Sequence, residues 1–224
     1  MASRTTPLVT NEYYHVFNRG VARQPIFSLR HDYQQALLAI EYYRFSKPPI
    51  KLSRFKTLAQ GEKNKLMSSL NQDHPKLTKI ISYCLMPNHF HLLLRQVADD
   101  GISKFVGQLS NSYTRYFNTK HSRVGPLFQG PFKSVHVESE EQLIHLSRYI
   151  HLNPYVSSVV RETELTCYPW SSYRDYLKGG SNFVDLSPVL SRFKSISEYQ
   201  LFVSNHADYA RELEFIKHLT LDTG

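Results

Sequence analysis

Four strand-like runs interleaved with two amphipathic helical stretches predict an α+β fold built on an antiparallel sheet. Three observations carry that expectation. Glu12 to Arg19 is rich in aromatic and β-branched residues and alternates, as a half-buried strand does. Lys79 to Leu85 and His89 to Gln96 are apolar runs joined at Met86-Pro87-Asn88, the composition of a hairpin turn. Asp32 to Phe45 and Ile102 to Phe117 instead space their apolar residues at helical intervals.

Taken in order, Glu12 to Arg19 is the first strand. The helix from Asp32 to Phe45 places Ala36, Leu37, Ile40 and Tyr43 on one side and is stopped by Pro48-Pro49. A basic stretch follows, with a short helix expected after Ser53. The hairpin comes next, then a helix whose stripe comprises Ile102, Phe105, Val106, Leu109, Tyr113, Tyr116 and Phe117. Phe132 to Glu138 is the fourth strand. The order strand, helix, strand, strand, helix, strand is the split βαβ or ferredoxin-like pattern, which sets the first strand beside the third and His15 near His89 and His91. Ser139 then opens a helix with Gln142 at the capping-box position, closing at Asn153-Pro154. The expected organisation is a core over residues 1–155, interrupted by a basic insertion at about 44–79. A helical C-terminal extension over 156–224 packs on that core, its loop and helices starting from Tyr168.

A chain of 224 residues with 41% hydrophobic and 13% aromatic content can bury a substantial core. Met1 to Gly20 lacks an apolar targeting core, and no uncharged apolar run approaches a membrane span. Only Cys84 and Cys167 occur, which indicates neither a disulfide framework nor a zinc finger and fits a reducing cytoplasm. The net charge is +8. Most of the excess lies between Arg44 and Lys79, where nine Lys and Arg residues face only Glu62 and Asp73. Such a concentration is the footprint of a polyanionic partner, although a solvated insertion has the same composition.

The chemistry gathers at Met86-Pro87-Asn88-His89-Phe90-His91. In a strand, His89 and His91 point to one face while Phe90 points to the other. Two neutral imidazoles on one face suit a divalent cation able to polarise a phosphoryl oxygen. Tyr113, central on the next helix, is a candidate nucleophile, with Tyr116 about 60° around the same helix as the alternative. A phenol attacking a phosphodiester forms a covalent phosphotyrosine and releases a 3′-hydroxyl, dividing a hard transfer into two easier ones.

Five ordered stretches give the sequence a family resemblance. Met86 to His91, the run Ser112-Tyr113-Thr114-Arg115-Tyr116-Phe117-Asn118, Tyr14 to Gly20, Tyr149-Ile150-His151-Leu152-Asn153-Pro154 and Tyr168 to Tyr173 together resemble the HUH single-tyrosine transposases, most of all the REP-associated tyrosine transposases. The resemblance runs from about Tyr13 to Tyr176. It implies a ferredoxin-like endonuclease that cuts and rejoins single-stranded DNA at or near hairpins with Mg²⁺ or Mn²⁺, through a 5′-phosphotyrosine intermediate. His89 and His91 are then the metal ligands and Tyr113 the nucleophile. Related enzymes often carry a Gln one helical turn after the tyrosine as third ligand, where this chain has Phe117. His15 and Asn118 are the substitutes considered, Asn118 being rotated about 140° from Tyr113.

The expected partner is single-stranded or hairpin DNA, contacted by Arg19, Lys51, Arg54, Lys56, Arg115 and Lys133. A cytoplasmic, nucleoid-associated monomer or homodimer follows. The alternative is a non-catalytic binder of hairpin DNA or RNA on the same fold. RNA-recognition sheets share this topology and stack bases on aromatics, but nothing in their chemistry calls for His-x-His with a helical tyrosine. A structural zinc site lacks four ligands at sensible spacing.

Overall fold

The computed structural model describes residues 7–205, so the last part of the expected extension, 206–224, lies outside the described residues. Four strands, β1 (Tyr13–Arg19), β2 (Thr78–Met86), β3 (His89–Gln96) and β4 (Lys133–Val137), form one antiparallel sheet in the order β2-β3-β1-β4. The first strand does lie beside the third. Arg19 is paired with His89 and Phe17 with His91, while Lys133 pairs with Phe17 from the other side.

Pleating then divides the sheet chemically. One face of β3 carries Phe90, Leu92 and Leu94; the other carries His89 and His91. Helices α1 (Arg30–Tyr43) and α4 (Gly101–Lys120) cover the Phe90 face. Phe128 joins them to it, lying 5.8 Å from the Phe90 ring and 6.4 Å from that of Tyr113. At the start of α4, the Ile102 amide donates to Gln96 Oε1 on the same face. The apolar stripe of α4 therefore meets the apolar side of the sheet, which is where burial is most favourable.

The basic stretch holds two helices rather than one, α2 (Leu52–Thr57) and α3 (Gln60–Asp73). Leu52, Phe55 and Leu70 are buried and anchor the pair. The sequence pattern of α3 is weak because Leu70 is its only buried residue; Glu62 supplies the start by accepting from the Ala59 amide. Two of the nine cations in this stretch are structural. Arg44 is buried and donates to Asn71, and Lys79 pairs with Asp185 at 2.9 Å.

The opposite face is covered by α5 (Glu140–Val156). Ser139 caps it as expected, its Oγ accepting from the Gln142 amide, while Gln142 Oε1 accepts from the Glu138 amide. The helix does not close at Asn153-Pro154 but continues to Val156. Proline forfeits only its own amide bond, a loss tolerated this near a terminus. Its carbonyl then accepts from the amides of Val159 and Val160.

Residues 168–205 seal the free edge of β2. The Ser172 amide donates to Tyr83 O, Tyr168 and Tyr176 donate their hydroxyls to Leu85 O and Ile81 O, and Val184 bridges Ile80. Three short helices follow in this region: α6 (Tyr173–Lys178), α7 (Ser187–Leu190) and α8 (Ile196–Ser204).

Candidate nucleic-acid cleavage site

The two imidazoles share one face and nearly meet, their ring centroids 4.9 Å apart. His89 Nδ1 hydrogen-bonds Asn88 Oδ1 at 2.6 Å. His91 Nδ1 hydrogen-bonds His15 Nε2 at 2.9 Å, and the two rings stack. Burial holds His89 down to about 4, helped by the Arg19 charge. Burial likewise holds His91 well below its ordinary value, with His89, His15 and Arg19 adding to the effect. Both rings are therefore neutral at pH 7, the form that donates a lone pair to a metal. His91 Nε2 is a buried nitrogen without a hydrogen-bond partner. Such an atom is costly unless something binds it.

Helix α5 brings two more groups to this face. The Tyr149 ring stands edge-on to His91 at 5.4 Å and to His15 at 6.2 Å. One turn later, the Asn153 side chain hydrogen-bonds His89. A four-residue step rotates a helix by only about 40°, so Tyr149 and Asn153 reach the two imidazoles from one side. Arg19 stands opposite His89 in the sheet, with its Nε buried and unpartnered. A cleft of about 370 Å³ adjoins these groups, lined by Phe17, Arg19, Arg23, Gln129 and Lys133 among others.

Tyr113 is not part of this cluster. It is buried beneath the opposite face of the sheet, packed on Phe27, Tyr116, Phe117 and Phe128. Its hydroxyl donates to Ile26 O at 2.5 Å, and burial raises its ionisation well above the ordinary phenol range, with Asp32 adding to the rise. Tyr116 lies on that side too, its hydroxyl donating to Asp32. The geometry thus departs from the sequence expectation for the nucleophile. The reason is the direction of α4, whose apolar stripe follows Phe90 and not the histidines. Asn118 is remote as well, its amide donating to Gly125 O and its oxygen accepting from Arg123. His15 does reach the pair, but its Nε2 meets the Nδ1 of His91, on the side of that ring away from Nε2.

Of the expected DNA contacts, Arg19 and Lys133 flank the His pair. Lys51, Lys56 and Arg115 line a separate groove between α1, α2 and α4, and Arg54 is exposed at the last turn of α2. Among the described residues, no three His, Cys, Asp or Glu side chains gather in a metal-binding group. The side chains that α5 brings to the two imidazoles are an amide, Asn153, and a phenol, Tyr149. Tyr149 and Asn153, absent from the expected site residues, both lie in the run Tyr149-Ile150-His151-Leu152-Asn153-Pro154. Their four-residue spacing on the helix after the fourth strand was the available signal.

The IS200-like transposase family model matches residues 53–153. No curated protein matches the chain in sequence. Among solved structures, the chain is similar to a REP-associated tyrosine transposase bound to a REP hairpin, at 14% identity and a TM-score of 0.55, covering 83% of this chain and 93% of that one. A candidate transposase from Deinococcus radiodurans is similar at 15% identity and a TM-score of 0.36, covering 67% of this chain and 95% of the other.

Proposed function

We propose, from the match of residues 53–153 to the IS200-like transposase family model and from the geometry of the His face, that this chain is a single-strand DNA nicking and joining transposase that uses Tyr149 as its nucleophile. The observation that carries the reading is the convergence of Tyr149 and Asn153 on His91 and His89. The amide sought one turn after the tyrosine is absent at Phe117 but present at Asn153.

His89, His91 and Asn153 fit a divalent cation. Both imidazoles are neutral, and His91 Nε2 is buried without a partner. With the proton on His91 Nδ1, the bond to His15 leaves Nε2 as a lone pair, and His15 holds the ring's orientation. A bound Mg²⁺ or Mn²⁺ would polarise the scissile phosphate. Tyr149 attacks the phosphorus, its proton passing to solvent. The bond from phosphorus to the 3′-oxygen breaks, and that oxygen takes a proton from solvent and leaves as a hydroxyl. The 5′-phosphate stays on Tyr149 until another 3′-hydroxyl reverses the step, so no external energy source is needed. Arg19 and Lys133 line the entrance and supply charge for the flanking phosphates.

The similar structure of a REP-associated transposase holds a REP hairpin, which supports hairpin DNA as substrate here. In-line attack by a helical tyrosine calls in addition for an exposed phosphate in a single-stranded flank. The test uses such an oligonucleotide, labelled on each side of the cut, with Mn²⁺ and the intact chain on a denaturing gel. A covalent adduct carrying the label 3′ of the cut is expected. Cleavage without an adduct, or an adduct that survives Tyr149→Phe, overturns the assignment.

A further inference from the structure

The face away from the histidines carries a feature that cleavage does not use. Between α1, α2 and α4 runs an open groove of about 800 Å³. Lys51 and Lys56 line it from one wall and Arg115 from the other, and no carboxylate lines it among the described residues. Lys120 also borders the groove but is paired with Asp32 at 2.7 Å. The three remaining cations are exposed.

Aromatic rings alternate with these charges. Tyr43 and Tyr116 are both half-buried at the groove. Tyr116 is fixed by its hydrogen bond to Asp32, and the Lys56 ammonium rests 5.6 Å from its ring centre. From there the ammonium can turn to a phosphate and leave the ring face for a base. Gln108 and Asn111 add neutral donors and acceptors along the wall. A positive track with interleaved aromatic faces suits an unpaired polynucleotide, whose backbone takes the charges and whose bases take the rings. A duplex hides its bases and gains nothing from the tyrosines.

We propose that this groove binds the single-stranded flank of the DNA, as a second contact surface separated by the sheet from the phosphate being cut. The inference rests on the DNA substrate proposed above but not on the identity of the nucleophile. It predicts a division of labour in which Arg19, the His pair and Tyr149 choose the bond, while Lys51, Lys56 and Arg115 hold the strand.

The experiment measures binding of the full chain to a hairpin with a long flank and to the same hairpin without one, across a salt series. Each single-strand phosphate contact contributes about 0.7 to the slope of log affinity against log salt. The triple variant Lys51→Ala/Lys56→Ala/Arg115→Ala should flatten that slope by about 2 for the flanked hairpin. Raising salt fourfold would then cost it about 16-fold less affinity than it costs the wild type. The flankless hairpin should bind both proteins alike, and the cut position should not move. Equal slopes for the two proteins on flanked DNA overturn the proposal, as does an equal loss on the flankless hairpin. A second measurement needs no variant: 5-iododeoxyuridine in the flank should photo-crosslink to Tyr43 or Tyr116. Crosslinks confined to the histidine-bearing face overturn it. If the wild type makes no adduct yet shows the flank-dependent slope, the cleavage reading fails and the groove stands.

Discussion

The Tyr149 ring meets the His91 imidazole edge-on, with centroids 5.4 Å apart and planes at 85°. His15 stacks on the same imidazole at 19° between planes, so His91 is held by an aromatic contact from α5 and by a hydrogen-bonded ring from β1. A side chain so held has little rotamer freedom, and preorganisation of this kind is what a metal ligand or a positioned nucleophile requires. The contact places any reaction of the His pair on the α5 side of the sheet.

Removing one oxygen separates the two tyrosines. Tyr149→Phe should reduce adduct formation at least about a thousandfold while leaving DNA affinity within about twofold, because the attacking atom alone is lost. Tyr113→Phe should keep adduct formation. It should cost about 1 kcal/mol of stability through its lost bond to Ile26 O. Adduct yield on a denaturing gel, with urea melts of both variants, checks the pair. The reverse pattern would return the nucleophile to α4.

Metal binding can be read without turnover. His89→Ala and His91→Ala should each weaken Mn²⁺ binding by at least about a hundredfold, and Asn153→Ala by about tenfold or more. His15→Ala, removing only the ring behind His91, should cost about 10- to 100-fold in Mn²⁺ affinity, with partial recovery in His15→Gln. Titration calorimetry or the Mn²⁺ electron-spin signal supplies the readout. Unaltered Mn²⁺ binding in the His89→Ala/His91→Ala double variant would remove the metal from this face.

The sheet was legible because its information is local and strongly patterned. The alternation of Tyr13 to Arg19, the turn at Met86-Pro87-Asn88 and the stripe on α4 each report on a few neighbouring residues. The His pair was legible for the same reason, since strand pleating alone puts His89 and His91 together. Which tyrosine faces the His pair depends on which face each helix covers, a tertiary choice that no single segment displays. Phe90, Leu92 and Leu94 did hold the clue, because the stripe containing Tyr113 had to bury against them and not against imidazoles. Helix α3 was missed because it buries one residue and draws its stability from contacts made elsewhere.

His151 shows a different use of a histidine in the same helix. Its Nδ1 hydrogen-bonds the Tyr199 hydroxyl at 2.7 Å and its Nε2 the Ser172 hydroxyl at 2.8 Å, tying α5 to the segment that seals β2. Replacing it with leucine removes both bonds, while the Tyr199 hydroxyl keeps Ser147 and the Ser172 hydroxyl keeps the Tyr83 backbone, a loss of about 1–2 kcal/mol. His151→Leu should lower the urea midpoint accordingly while the isolated adduct reaction, measured below that midpoint, keeps its cut position. A neutral effect on stability would show that water replaces the ring.

Asp32 gives the acid limb of stability a specific origin. Burial alone would raise its ionisation, but hydrogen bonds from Lys120, the Leu29 amide, Tyr116 and the Ser28 amide hold it below the ordinary value of 3.8. Its folded form therefore binds a proton less readily than the unfolded chain. The resulting stability is fully present above about pH 4 and is lost as pH falls through the folded value. Asp32→Asn should cost about 1–3 kcal/mol at pH 7, since the buried position loses the charged acceptor for the Lys120 ammonium, the Tyr116 hydroxyl and the Ser28 and Leu29 amides. Because the variant has no proton to take up, the gap between it and the wild type should shrink below pH 4. Urea melts at intervals from pH 7 to 3 measure the gap directly. A gap that stays constant across that range would mean that the carboxylate is not held below its ordinary value and that Lys120 draws its stability from elsewhere.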